Sequence, residues 1–177
     1  MSIFKKIPKP DDIAAVYAVI VAMVYFPTIN RFFWKVPSWI LSSTLGDLFL
    51  LYAYTVVVNF LESLLVLGAV LGLCIILPGK LFLDRFTSRA VLLVILTLGF
   101  LIYLGTQMQR ASVFPWALVR QSPLILLVIL LLVHLLDQIG FLRKFLAAAA
   151  NRFIIFLYIS IPVSILSLLV VLIRNIT

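Results

Sequence analysis

Long apolar runs alternate along this chain with short segments that hold most of its charge. Each run has at least 17 residues, about the length that an α-helix needs to cross 30 Å of hydrocarbon. The pattern predicts an all-α, polytopic integral membrane protein, a bundle of about five transmembrane helices in a single domain over residues 1-177. The predicted spans are about 13-29, 48-77, 90-108, 123-139 and 153-173.

The second run is long enough to allow an alternative with six spans. Its 30 residues would measure about 45 Å as one helix, and a turn at Asn59–Glu62 would divide it in two. With five spans, nine Lys and Arg lie on one side of the membrane and five on the other. With six spans the split becomes six inside and eight outside, and no Gly or Pro marks the turn. The positive-inside rule therefore favours five spans, with the N-terminus inside and the C-terminus outside.

Composition excludes a water-soluble fold. Hydrophobic residues make up 65% of the chain and charged residues only 11%, against about 25% charged in soluble domains. The net charge of +8 comes from Lys and Arg at the ends of the apolar runs, which is typical of contacts with lipid head groups. We therefore expect membrane lipids and other transmembrane subunits as partners and no nucleic acid, in a bacterial or archaeal cytoplasmic membrane.

A polar stripe interrupts the second span near its centre. Thr55, Asn59 and Glu62 are spaced i, i+4, i+7 and share one helix face. A charged side chain at this depth costs about 3 kcal/mol on insertion scales, so Glu62 should face protein or water. The stripe could form an ion or proton site. It could also hold a neutral Glu62 that hydrogen-bonds to Asn59 or to a neighbouring helix and fixes the packing.

Three further stripes of small residues predict surfaces for helix packing, because small side chains let two backbones approach closely. They lie on the second, first and fifth spans, and their members are Gly68 and Gly72; Ala14, Ala18 and Ala22; and Ser160, Ser164 and Ser167.

The fourth span ends with two titratable residues on one face. His134 and Asp137 could relay protons, or His134 could contact a pigment or haem as a single axial ligand. The favoured interpretation is that Asp137 reaches the head groups near Arg143 and Lys144 while His134 makes one buried hydrogen bond. No catalytic motif or set of metal ligands is present in the sequence, so we expect no cofactor.

The sequence favours a protein that is not an enzyme. The leading hypothesis is a non-catalytic integral membrane subunit that packs against and stabilises a larger membrane protein complex. The alternative is a small transporter or proton- or ion-conducting protein that uses Glu62. The surroundings of the Thr55, Asn59 and Glu62 stripe should separate the two hypotheses, because a transporter needs them to form a wet cavity.

Overall fold

The structure, a computed structural model, describes residues 8–76, 85–111, 116 and 120–176. About 93% of these residues are helical and none of them lies in a strand, which confirms the all-α prediction. Five helices follow one another in the described ranges. Their bounds are Pro10–Trp39 (α1), Leu45–Ile76 (α2), Phe86–Ala111 (α3), Ser122–Leu136 (α4) and Gly140–Ile176 (α5).

Four of these helices, α1, α2, α3 and α5, are long and apolar enough to cross a membrane. The 15 residues of α4 are apolar too, but they measure only about 22 Å, less than the thickness of the hydrocarbon layer. The structure thus supports a multi-pass membrane protein. Whether α4 makes a fifth crossing, and which way the chain is oriented, stay predictions.

The first helix continues beyond the predicted end of its span at Ile29. It runs through Pro27 and Pro37 to Trp39 and includes Arg31. A proline inside a helix leaves the carbonyl four residues earlier without its N–H donor, and membrane helices tolerate this where nearby hydroxyls bond to the backbone. Here the Thr28 hydroxyl donates to the Val24 carbonyl at 3.0 Å, one residue beyond the carbonyl that Pro27 leaves free.

The second helix begins earlier than its apolar run because a capping box precedes it. The Asp47 amide donates to the Thr44 hydroxyl oxygen at 3.3 Å, and the Asp47 carboxylate accepts from the Thr44 amide at 3.2 Å. This reciprocal pair uses backbone donors that the first turn of a helix leaves free. Polar residues thus extend α2 to Leu45, ahead of the predicted start at Leu48.

The centre of the bundle is α1, which packs against α2, α3 and α5 and is the most buried of the four long helices. Val16, Ala18 and Ile20 have no exposed surface. Among the described residues α4 packs chiefly on α3, at the edge of the bundle. The core therefore belongs to the four long helices, and α4 is an addition to it.

Because α4 is short, the number of crossings needs a direct test. An odd number places the two termini on opposite sides of the membrane, and an even number places them on the same side. Single cysteines at Ser2 and Thr177, in a Cys74→Ser background, should differ in labelling of intact cells by an impermeant thiol reagent. With five crossings only the C-terminal cysteine reacts from outside, whereas with four crossings both termini share one side. Labelling after permeabilisation is the control for reactivity, and equal labelling of both cysteines in intact cells would contradict five spans.

Candidate functional site

Glu62 lies near the middle of α2 and is exposed on the surface of the chain. It lines a groove of about 260 Å³ whose other walls come from α1 and α3. No described residue forms an ion pair or hydrogen bond with its carboxylate. Among the described residues, the structure thus leaves an ionisable group uncovered at mid-helix, on the surface of α2.

The α1 wall of this groove supplies most of its polar atoms. Thr28 and Arg31 line it, together with Met23 and Pro27. Because Pro27 has no N–H, the Met23 carbonyl loses its usual helical donor. The side chains that line the groove carry a carboxylate, a guanidinium and a hydroxyl. The α3 wall is apolar, formed by Leu98, Leu101, Ile102 and Gly105.

The other two members of the polar stripe do not join Glu62 in this groove. Asn59 is only 2% exposed, and its Nδ2 has no hydrogen-bond partner among the described residues. Thr55 donates its hydroxyl to the Leu51 carbonyl of its own helix at 2.8 Å. Helical spacing placed the three residues on one side of α2, but neighbouring helices cover that side only in part. The stripe is split between a buried and an open environment.

Hydroxyl groups join α1 to its two larger neighbours. Tyr17 hydrogen-bonds to Ser63 of α2 at 3.3 Å, and Tyr25 hydrogen-bonds to Ser164 of α5 at 2.8 Å. Ser167 is also buried, while the buried Ser160 hydroxyl has no partner among the described residues. The serine stripe of α5 thus faces protein at Ser164 and Ser167. Interhelical bonds of this kind contribute about 0.6 kcal/mol on average in membranes.

The best-connected polar cluster lies where α4 ends, around the carboxylate of Asp137. Asp137 has no exposed surface. Its carboxylate accepts from the Arg89 Nε at 2.8 Å and from the Ser88 hydroxyl at 2.5 Å, and the Arg85 guanidinium lies 3.5 Å away. A buried charge is stable only when it is paired and hydrogen-bonded, and Asp137 meets both conditions. The cluster fixes the end of α4 to the first turn of α3.

Sequence reasoning missed these partners of Asp137. The carboxylate bonds to residues of α3 and not to Arg143 or Lys144, because α4 packs on α3. No hydrogen bond joins it to His134 within the described residues, and His134 is exposed. A signal was present in the chain: Arg85 and Arg89 are spaced i, i+4, so both guanidiniums share one helix face.

The small-residue stripes differ in how far the chain itself covers them. Ala18 is fully buried, whereas Ala14 and Ala22 are half-buried. Gly68 is exposed and Gly72 half-buried, and a Cβ added at either position would meet no atom within 4 Å. The alanine stripe therefore contributes to packing within the chain. The two glycines leave room on the surface of α2 that no described residue fills.

The described residues contain no group of three or more His, Cys, Asp or Glu that could hold a metal ion. No protein-family model, curated protein sequence or solved structure matches this chain. The geometry is therefore the sole basis for a function.

The Asp137 cluster predicts a strong effect of one substitution. Asp137→Asn would remove the carboxylate charge to which the Arg89 Nε and the Ser88 hydroxyl donate, and breaking a buried ion pair from one side typically costs about 3–5 kcal/mol. We expect a large fall in the thermal midpoint of the purified protein in detergent. Asp11→Asn removes an exposed carboxylate at the start of α1 and is the matched control, with a change within about 1 kcal/mol. Equal midpoints for the two variants would contradict this role for Asp137.

Proposed function

We propose that this protein is a non-catalytic subunit that packs against, and stabilises, a larger membrane protein complex. The observation that carries the proposal is the surface of α2 formed by Glu62, Leu65, Gly68, Ala69 and Gly72, here called the outer face of α2. Four of these residues are exposed, and Gly72 is half-buried. The face joins an ionisable side chain to three small residues within about 15 Å of helix.

The exposed carboxylate favours a protein partner over lipid on this face. An ionised Glu62 in contact with acyl chains would cost about 3 kcal/mol on insertion scales, and more by simulation. A hydrogen bond across a helix interface reduces that cost because it supplies the donor that lipid lacks. A partner helix that covers Glu62 could also extend along α2 and pack over Gly68 and Gly72.

The glycines favour an occupant whose backbone comes close to α2. In lipid, helix association depends on close van der Waals packing and a few hydrogen bonds, and small residues shorten the distance between backbones. The open space at Gly68 and Gly72 allows this approach without any movement inside the chain. The partner we propose is a transmembrane helix with small residues facing Gly68 and Gly72 and a hydrogen-bond donor at the level of Glu62.

The groove next to Glu62 favours a second candidate function, a small transporter or ion-conducting protein. Its carboxylate and hydroxyl oxygens could coordinate a cation, and these groups and the guanidinium could hydrogen-bond a polar solute. The apolar α3 wall and the lack of a second carboxylate make this a poor cation site. We therefore place this function second.

The subunit hypothesis predicts a large native particle. Extraction in a mild detergent, followed by size separation, should find this protein with other polypeptides, well above one 19.9 kDa chain plus its micelle. Gly68→Leu with Gly72→Leu should shift the protein to the size of a single chain, because the bulky side chains separate the two helices.

Gly99→Leu on α3 is the matched control, since a Cβ there also meets no atom within 4 Å but lies outside the outer face of α2. It should leave the particle unchanged. Recovery of the unaltered protein only as a single chain, from membranes whose other complexes stay intact, would overturn the subunit hypothesis.

Substitutions of Glu62 separate the two candidate functions. Glu62→Gln keeps the shape and most of the hydrogen-bonding capacity, so the particle and its thermal midpoint should stay nearly unchanged. Glu62→Leu should weaken association by about 1–2 kcal/mol, measured as release of the chain on dilution in detergent. Loss of ion or proton flux in liposomes on Glu62→Gln, with the fold intact, would instead establish the transporter function.

A further inference from the structure

Two helices begin beside one cavity at the end of the bundle opposite the α1–α2 turn. The cavity has a volume of about 470 Å³. Its walls come from the first turn of α3 and the first turns of α5, with Asp12 of α1 at one edge. The first turn of α3 thus borders the cavity directly, and the N-terminal end of a helix favours anions.

Basic side chains dominate the lining of this cavity. Arg85, Arg143 and Lys144 line it, against the single carboxylate of Asp12. The Asp12 carboxylate accepts a hydrogen bond from the Thr87 hydroxyl at 2.7 Å, so it is already engaged at the start of α3. Within the described part of the chain, no carboxylate forms an ion pair with Arg143 or Lys144. Arg143 and Lys144 thus give the cavity positive charge that no ion pair among the described residues neutralises.

The surroundings of the cavity resemble a membrane–water interface. Phe141 and Phe145 lie on the same turns of α5 as Arg143 and Lys144 but outside the lining of the cavity, are 80% and 59% exposed, and stack with ring centroids 6.4 Å apart. Aromatic rings beside basic side chains are typical of the head-group level, where the rings contact acyl chains and the cations contact phosphates. A ligand held in the cavity would therefore meet cations at the level of the membrane where exposed aromatic rings lie.

The geometry points to a binding site for the phosphate group of an anionic phospholipid. Arg143 and Lys144 bind the phosphate, and Arg85 adds positive charge from the α3 side. Basic pockets between transmembrane helices bind anionic head groups in this way. The site lies apart from the outer face of α2, so it is independent of the proposed subunit function.

Arg143 and Lys144 are the residues to change, because neither takes part in the Asp137 cluster. Arg85 pairs with Asp137, so its substitution would change the stability of the fold as well as the binding of the ligand. Arg143→Gln with Lys144→Gln removes two charges from the cavity. The matched control, Lys35→Gln with Arg174→Gln, removes two charges, one near the C-terminal end of α1 and one in the last turn of α5, at the other end of the bundle.

The experiment titrates the purified full-length protein, in a neutral detergent, with phosphatidylglycerol, phosphatidylcholine or inorganic phosphate, and counts bound molecules by native mass spectrometry. We expect saturable binding of phosphatidylglycerol over phosphatidylcholine, weakened about tenfold by Arg143→Gln with Lys144→Gln and unchanged in the control. Saturable binding of inorganic phosphate, weakened by the same pair, would overturn a lipid ligand in favour of a soluble phosphate. An equal loss of phosphatidylglycerol binding in the cavity variant and in its control would overturn the proposed site. So would the absence of saturable binding to the unaltered protein.

Discussion

The close packing of α1 against three other helices is the interaction on which the rest of this structure depends. Lipid is as apolar as the side chains of the core, so helices gain little in a bilayer from hiding apolar surface. They associate through van der Waals contact and a few hydrogen bonds. Val16, Ala18 and Ile20 of α1 are fully buried, so the neighbouring helices pack closely around them. Tyr17 and Tyr25 then add hydrogen bonds to α2 and α5 at two levels.

The polar groups of the chain divide into those that the fold satisfies and those that it leaves open. Asp137, Ser88 and Arg89 form a closed cluster, and the Tyr25–Ser164 pair is buried as well. Glu62 and the basic side chains beside Asp12 have no such enclosure. In lipid an uncovered polar group is costly, so these open groups are the places where other molecules are expected. A partner helix is proposed for one of them and a lipid head group for the other.

The sequence predicts the helices of this fold better than it predicts their partners. Runs of apolar residues identify helices because spanning lipid requires every backbone group to be satisfied within its own segment. Helix ends are harder, since Pro27 does not end α1 and a polar capping box extends α2 to Leu45. The spacing of Asn59 and Glu62 gives their angular position on α2, but tertiary packing decides which of the two is covered. The pairing of Asp137 with Arg89, 48 positions earlier, depends on how α4 lies against α3.

That pairing has a consequence for how the protein enters the membrane during its synthesis. Arg89 lies near the start of α3 and Asp137 just after α4, so α3 is synthesised before the carboxylate to which the Arg89 Nε donates. A charged side chain is costly in hydrocarbon, and the bond to Asp137 offsets part of that cost at the start of α3. We therefore expect α3 to take its final position in the membrane only after α4 has been made and packs on it.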